Sequence, residues 1–387
     1  MKDAVSYRKF VVPEMIFGNG CLTLVDGYAR CFGLKNILVV SDPGVCSAGW
    51  TDKVITCLKA SGISSALFVE ITPNPKDYEV MAGAAVYQSN RCDGIIAVGG
   101  GSPMDCAKGI AIVVSNGGHI LQYEGVDRIP YPMPPLICIP TTAGTAADIS
   151  QFAIITDTPG KCKIAIISKT LVPDLALIDP RTTSTMGSDM TACSGMDALV
   201  HAIEAYVSTA SSVFTDLQAL NAIALVAEHL PAVMSDLSNQ DARRGMMLAS
   251  TEAGMAFSNA SLGAVHAMAH SLGGVLDSPH GDCNALLLEH VVRYNFASAS
   301  ERYRRVAEKL GCSISETVDD HHVCTVLTDS IRRLRIESGI VGSLSDRGVT
   351  MEMIPQLAHK AMNDPCMITN PRRPSVSEIE ELYVQAL

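Results

Sequence analysis

The chain has 387 residues, 48% of them hydrophobic and 18% charged, with a formal net charge of −11. That length and apolar content argue against disorder and predict two folded domains. The acidic balance, with no long basic run, argues against sequence-independent nucleic-acid binding. None of the 13 cysteines forms a CxxC pair, so they read as reduced thiols rather than a disulfide frame or a thiolate zinc site. The N-terminal stretch MKDAVSYRKF lacks the apolar core of a signal peptide. The most apolar window, 94–114, is interrupted by glycines, Pro103, Asp105 and Lys108, which excludes it as a membrane span. The expectation is a cytoplasmic protein without a membrane partner.

Short β-branched runs recur at 37–40, 66–71, 94–98, 136–139, 152–156, 163–167 and 175–178, with helical spacing at 52–60 and 77–89 between some of them. This alternation predicts a parallel α/β sheet covered on both faces, with ligands at the carboxyl ends of its strands. After about residue 182 the pattern becomes helical, over 191–208, 215–235, 241–260 and 262–274. The division is therefore an α/β domain over 1–182 and a helical domain over 183–387.

Two turns carry candidate ligand chemistry. Strand 94–98 runs directly into Gly99, Gly100, Gly101 and Ser102, followed by Pro103 and Asp105. Ser102 reads as an N-cap, Pro103 as the first helical residue and Asp105 as the acid of a capping box, opening a helix over about 103–114. The amino end of such a helix favours a phosphate, although a tight turn without a ligand uses the same residues. After strand 136–139, Thr141, Thr142, Gly144 and Thr145 could meet phosphate or ribose oxygens, or form an ordinary Thr-rich turn. Asp42 closes strand 37–40, where a carboxylate can accept both ribose hydroxyls of NAD or simply begin a turn.

The second half holds a cluster of metal-ligating types. Asp197 and His201 stand four apart, as do His266 and His270. Each pair shares one helix face. His280 follows Pro279 and precedes Gly281, which suggests a loop. Buried imidazoles and carboxylates are costly unless paired or bound to a cation. Mixed nitrogen and oxygen donors suit Fe²⁺ or Zn²⁺ rather than Mg²⁺ or Ca²⁺. All five residues are candidates on spacing. His119, His229, His290, His359 and the His321, His322 pair lie in polar stretches and are weaker.

With these segments assembled, the sequence resembles the iron-containing (group III) alcohol dehydrogenases over nearly its whole length. The motifs that carry the likeness include GGGSPMDCAK at 99–108, PTTAGT at 140–145 and GMDALVHAIEAY at 195–206. GAVHAMAHSLGG at 263–274, SPHG at 278–281 and the stretch from Asp364 through Thr369, Asn370, Pro371 and Arg372 complete them. The resemblance implies a Rossmann-like dinucleotide domain, an all-α metal domain and an active site in the cleft between them. It implies Asp197, His201, His266 and His280 as ligands of Fe²⁺, alternatively Zn²⁺, and His270 as a proton-transfer residue that does not bind the metal. Gly99, Gly100, Gly101, Ser102, Thr141, Thr142 and Thr145 match positions around the phosphates and nicotinamide of NAD. Asp42 matches an acid favouring NAD over NADP, Asn74 lies on the adenosine side, and Lys163 falls at a cofactor-side position. Phe152 and Phe257 resemble residues bordering the substrate pocket.

The implied reaction is reversible hydride transfer between a small primary alcohol or aldehyde and NAD, in a homo-oligomer of two or more copies. The chain departs from the family at Met186 and Gly187, where many members carry proline, and at Ala146, Ala147 and Asp148, where many read GSE. Competing readings are a dehydroquinate-synthase-like or glycerol-dehydrogenase-like enzyme and a non-catalytic cofactor-sensing paralogue. The first would need a cationic pocket for an anionic substrate, which the Ala, Leu, Met and Val neighbours of the metal helices disfavour.

Overall fold

A computed structural model describes residues 9–315 and 317–387, so most of the segment read for a signal peptide lies outside the described residues. The strands are β1 (Glu14–Phe17), β2 (Asn36–Val40), β3 (Ser64–Phe68), β4 (Gly94–Gly99), β5 (Gly125–Val126), β6 (Leu136–Pro140), β7 (Phe152–Asp157), β8 (Cys162–Ile167) and β9 (Leu175–Ile178). Six of them form one parallel sheet in the order β1-β9-β6-β4-β2-β3. Both faces are buried: Ile37, Val39, Ile96, Val98, Ile137 and Ile139 point to one side, Leu38, Val40, Ile95, Ala97, Leu136 and Cys138 to the other. Covered parallel strands need apolar residues at every position, which is why these runs show no alternation.

The register of this sheet places the site. Val40 pairs with Ala97, and Gly99 pairs with Pro140, so β2, β4 and β6 end side by side. Asp42, the glycine turn and the threonine turn therefore emerge along one edge.

Three local expectations change. The runs at 152–156 and 163–167 do not join the parallel sheet; β7 and β8 pair antiparallel in a separate three-stranded sheet. Only four residues link them, too few for the crossover a parallel pair requires. The third strand lies at Ser64–Phe68, earlier than the apolar run at 66–71 suggested. The helix after β4 spans Gly101–Asn116, with Gly100 as N-cap and no side-chain cap. It opens before Ser102, so neither Ser102 nor Asp105 caps it. The Asp105 carboxylate instead accepts from Ile154 N at 3.2 Å, tying this helix to β7.

The parallel sheet ends at Ile178, and the first long helix begins at Ser188. Met186 and Gly187 lead into it without proline; Arg243 donates to the carbonyls of Thr183 and Met186 and holds the connection instead. Helices Ser188–Val207, Val213–Ser235 and Gln240–Ala260 pack together, followed by Ala264–Leu276 and His280–Asn295. Among the described residues Val213–Ser235 is the one helix long and apolar enough to cross a membrane. Its Ala219, Ala222, Ile223, Val226 and Leu230 are buried in the helical core.

A buried charged cluster sits between the sheet and the hairpin. Lys108 is fully buried and donates to the carbonyls of Ser150 and Phe152, each at 2.8 Å. Burial pushes the carboxyl of Asp148 up to about 6, more than the nearby Lys108 ammonium lowers it. A carboxyl raised in the folded state destabilises the fold once ionised. No penalty exists below the unfolded pKa; it grows as pH rises from about 4 to about 6 and then stays constant. Asp148→Asn is expected to gain about 3 kcal/mol over the parent at neutral pH. Urea denaturation should show that gain vanish toward pH ~3.5; a gain independent of pH would contradict the assignment.

Candidate metal centre and cofactor cleft

Asp197 and His201 occupy one face of helix Ser188–Val207, which is buried along most of its length. These two residues are 2% and 4% exposed, and His266, from helix Ala264–Leu276, is 1% exposed. His266 Nε2 lies 3.7 Å from Asp197 Oδ1, and His280 Nε2 lies 3.9 Å from the same oxygen. Donor atoms of Asp197, His201 and His266 all fall within 4.8 Å of one another. The His201 and His266 rings stack at 4.5 Å between centroids, and Phe257 covers the other side of His201 at 4.2 Å. All four predicted ligands therefore converge. His280 differs from expectation in lying not on a loop but at the first residue of helix His280–Asn295, with Pro279 as N-cap. Proline's fixed φ and the apolar spacing of Cys283, Leu286 and Leu287 favour that start.

Outer contacts orient the rings. His201 Nδ1 lies 3.2 Å from Gly144 O, so Nδ1–H donates there and Nε2 is left as the free donor atom. The carbonyl is delivered by close packing: a Cβ on Gly144 would meet Ser194 O at 2.5 Å. His266 Nδ1 donates to Glu204 Oε2 at 2.7 Å, and Glu204 Oε1 accepts from Val265 N at 2.7 Å. Glu204 thus sets the His266 tautomer and satisfies a helix amino end in one contact. His270 Nδ1 lies 2.8 Å from Asp364 Oδ2, which leaves the His270 Nε2 free. Asn284, fully buried, places its amide against Asp197 Oδ1 at 2.7 Å.

The electrostatics match a cation site. Burial disfavours the charged Asp197 carboxylate, but His201, His266 and His280 outweigh it and hold the carboxyl well below its usual range. Burial lowers His201 to about 4 despite Asp197, keeping its imidazole neutral. Burial likewise keeps His280 well below its ordinary value. For His266 burial is overcome by Asp197 and Glu204, which raise it to about 9. A divalent cation would take the place of that proton. Three imidazoles and one carboxylate are a donor set that fits Fe²⁺ or Zn²⁺; the Nδ1 of His280 is buried without a partner.

Two cavities meet at this cluster. A cleft of about 770 Å³ runs past Asp42, Thr72, Gly100, Gly101, Ser102, Thr141, Thr142 and Thr145 to Asp197 and His280. The uncapped amino end of helix Gly101–Asn116 faces it, as a phosphate site requires. Gly99 lies at the end of β4 rather than on the cleft wall. Asp42 caps a short helix, accepting from Val45 N at 2.9 Å, while also lining the cleft. A smaller cavity of about 130 Å³ lies inward, lined by Phe152, Phe257, Leu262, Ile154, His201, His266, His270 and His280. Asn74 and Lys163 line this inner cavity too, and Thr72 and Pro73, just before Asn74, line the cleft. The Asn74 amide donates to Asp277 at 2.6 Å, across to the helical half. Burial pulls Lys163 below its ordinary pKa.

The sequence reading gave no role to Glu204, Asp364 or Asn284. Glu204 stands three residues after His201, a spacing that signals a shared face; Asn284 stands four after His280, but that signal appears only once His280 is helical. Asp364 is distant in sequence, and only folding brings it to His270. Glu204→Ala is expected to weaken Zn²⁺ binding roughly 10- to 100-fold, measured by chelator competition. Unchanged affinity would remove Glu204 from the site.

The family profile described as iron-containing alcohol dehydrogenase matches residues 13–180, and that of the Fe-containing alcohol dehydrogenase family, C-terminal, matches 191–387. Alcohol dehydrogenase 4 of Schizosaccharomyces pombe is 41% identical, covering 99% of this chain and 90% of its own. The NAD-dependent methanol dehydrogenase of Bacillus methanolicus is 34% identical, covering 98% and 99%. The crystal structure of a 1,3-propanediol oxidoreductase superposes with a TM-score of 0.96 at 39% identity, covering 99% and 100%. Two family profiles in tandem and full-length relatives above 30% identity agree with the cluster of donors beside a dinucleotide-sized cleft: the chain belongs to the iron-containing alcohol dehydrogenase family, an oxidoreductase family.

Proposed function

We propose that the protein oxidises small primary alcohols with NAD, and reduces the matching aldehydes, at a divalent metal held by Asp197, His201, His266 and His280. The observation that carries this reading is that all four residues line the inner cavity and that two of them, Asp197 and His280, also line the cleft and form a wall between the two. Such a wall brings a small molecule on one side within reach of a dinucleotide on the other. When bound, the metal supplies a Lewis acid and the nicotinamide a hydride acceptor.

The chain's own residues supply binding, orientation and proton movement. Gly100, Gly101, Ser102 and the threonines of the 140–145 turn offer main-chain and hydroxyl donors to phosphates and ribose. Asp42 at the cleft wall favours ribose hydroxyls over an added phosphate, hence NAD over NADP. Phe152, Phe257, Ile154 and Leu262 close the inner cavity with apolar surface and exclude water. About 130 Å³ admits only a few carbon atoms, which supports a short alcohol. His270, its Nδ1 proton engaged by Asp364, has Nε2 available to take a proton in oxidation and return it in reduction. Iron is the metal that the family's description supports; the donor set accepts zinc equally. Lys163 is the one lysine or arginine among the inner-cavity lining residues, which argues against a lyase acting on a multiply anionic substrate. The domains divide near residue 182, within the turn Pro180–Thr185.

An anaerobic screen of short alcohols and aldehydes with Fe²⁺ or Zn²⁺, followed by NADH absorbance, is expected to show turnover that a chelator abolishes. His266→Ala should lose metal retention and turnover together. Full turnover in a metal-free His266→Ala preparation would sink the reading.

A further inference from the structure

Asn284 has no hydrophobic or capping role on helix His280–Asn295. It is fully buried, four residues after His280 and on the same face. Its Nδ2 lies 2.7 Å from Asp197 Oδ1, and 3.2 Å from both His266 Nε2 and His280 Nε2. One amide nitrogen therefore touches three of the four candidate ligand side chains, which come from three different helices. Its Oδ1 is buried without a partner, as is the Nδ1 of His280. A buried amide with an orphaned oxygen is an expensive choice where an apolar side chain of similar size would fill the space.

The contacts explain what is gained. An amide nitrogen carries two hydrogens and only donates. Toward the carboxylate it makes a short, charge-assisted bond that fixes the Asp197 rotamer. Its two hydrogens cannot serve the carboxylate and both rings at once, and each ring Nε2 has a single lone pair that a cation would claim, whereas the carboxylate has lone pairs for both the amide and a cation. A carboxylate held in one rotamer beside three imidazoles is a ligand already placed for a divalent cation.

We propose that Asn284 is a positioning residue of the metal centre, whose amide presets the Asp197 rotamer and so raises cation affinity. The inference rests on the reading that these residues bind a metal. Zn²⁺ affinity, measured by chelator competition on the full chain, is compared for the parent, His266→Ala, Asn284→Leu and Asn284→Ala. Leu preserves the volume without polar atoms; Ala removes the amide without crowding, should Leu not fold. Loss of 10- to 100-fold in affinity is expected for either Asn284 variant, with NAD affinity by fluorescence unchanged and the Co²⁺ visible spectrum altered. Zn²⁺ affinity within about twofold of the parent, or an equal loss of NAD affinity signalling general disruption, would overturn the role of Asn284. A parent that does not hold Zn²⁺, or a His266→Ala variant that holds it as well, would instead overturn the metal reading itself.

Discussion

The carboxylate of Asp197 is buried and ionised, and the arrangement around it follows from that. Water cannot solvate it, so its charge must be met by neighbours. Imidazoles from three helices and one amide nitrogen meet it within 2.7–3.9 Å. Holding those groups together demands close helix packing, which the Ala- and Gly-rich segments of the helical half allow. It also demands outer partners, because each ring must present one chosen nitrogen. Gly144 and Glu204 meet that demand for His201 and His266. The same low-dielectric setting that makes the unpaired site costly makes it a strong cation trap.

The parallel sheet supplies the complementary half. Its three central strands β2, β4 and β6 end at one edge because parallel pairing aligns all carboxyl ends. The loops leaving β2, β4 and β6 line one cleft with Asp197 and His280, so the glycine and threonine turns reach toward the helical half without special folding. The hairpin of β7 and β8 then roofs the inner cavity, pinned by Lys108 to the carbonyls of Ser150 and Phe152. A fully buried lysine is tolerated there because its ammonium is paired with carbonyls and flanked by Asp105 and Asp148. This anchorage places Phe152 on the cavity wall.

Much of this was legible from sequence, and the failures have physical causes. Asp197, His201, His266 and His270 were legible as a cluster because helical spacing and residue type both carry the signal, whereas His280, expected on a loop, stood out by residue type and its place between Pro279 and Gly281. The glycine turn was legible because a strand feeding three glycines and a proline marks a tight strand–helix turn, with or without a ligand. Its helix start was misplaced because Ser102 and Asp105 are good caps in isolation, yet the ligand-facing end leaves its amide groups free and spends Asp105 on β7. The β7–β8 hairpin was misread because buried strands look alike whichever way they pair. Only the length of the link between them distinguishes the two.

By itself the sequence determined the layer types, the donor residues and the chemistry those donors permit, since composition and short-range spacing encode each of them. Tertiary structure alone decided which donor faces which. Asp364 reaches His270 from 94 residues away, Glu204 reaches His266 from 62, and Asn284 reaches Asp197 from 87. No local pattern predicts those pairs, because each depends on how separate helices cross. They choose the ring nitrogens left free, and the junction of the two cavities, a property of the whole packing, places those nitrogens where a small molecule and a dinucleotide can meet.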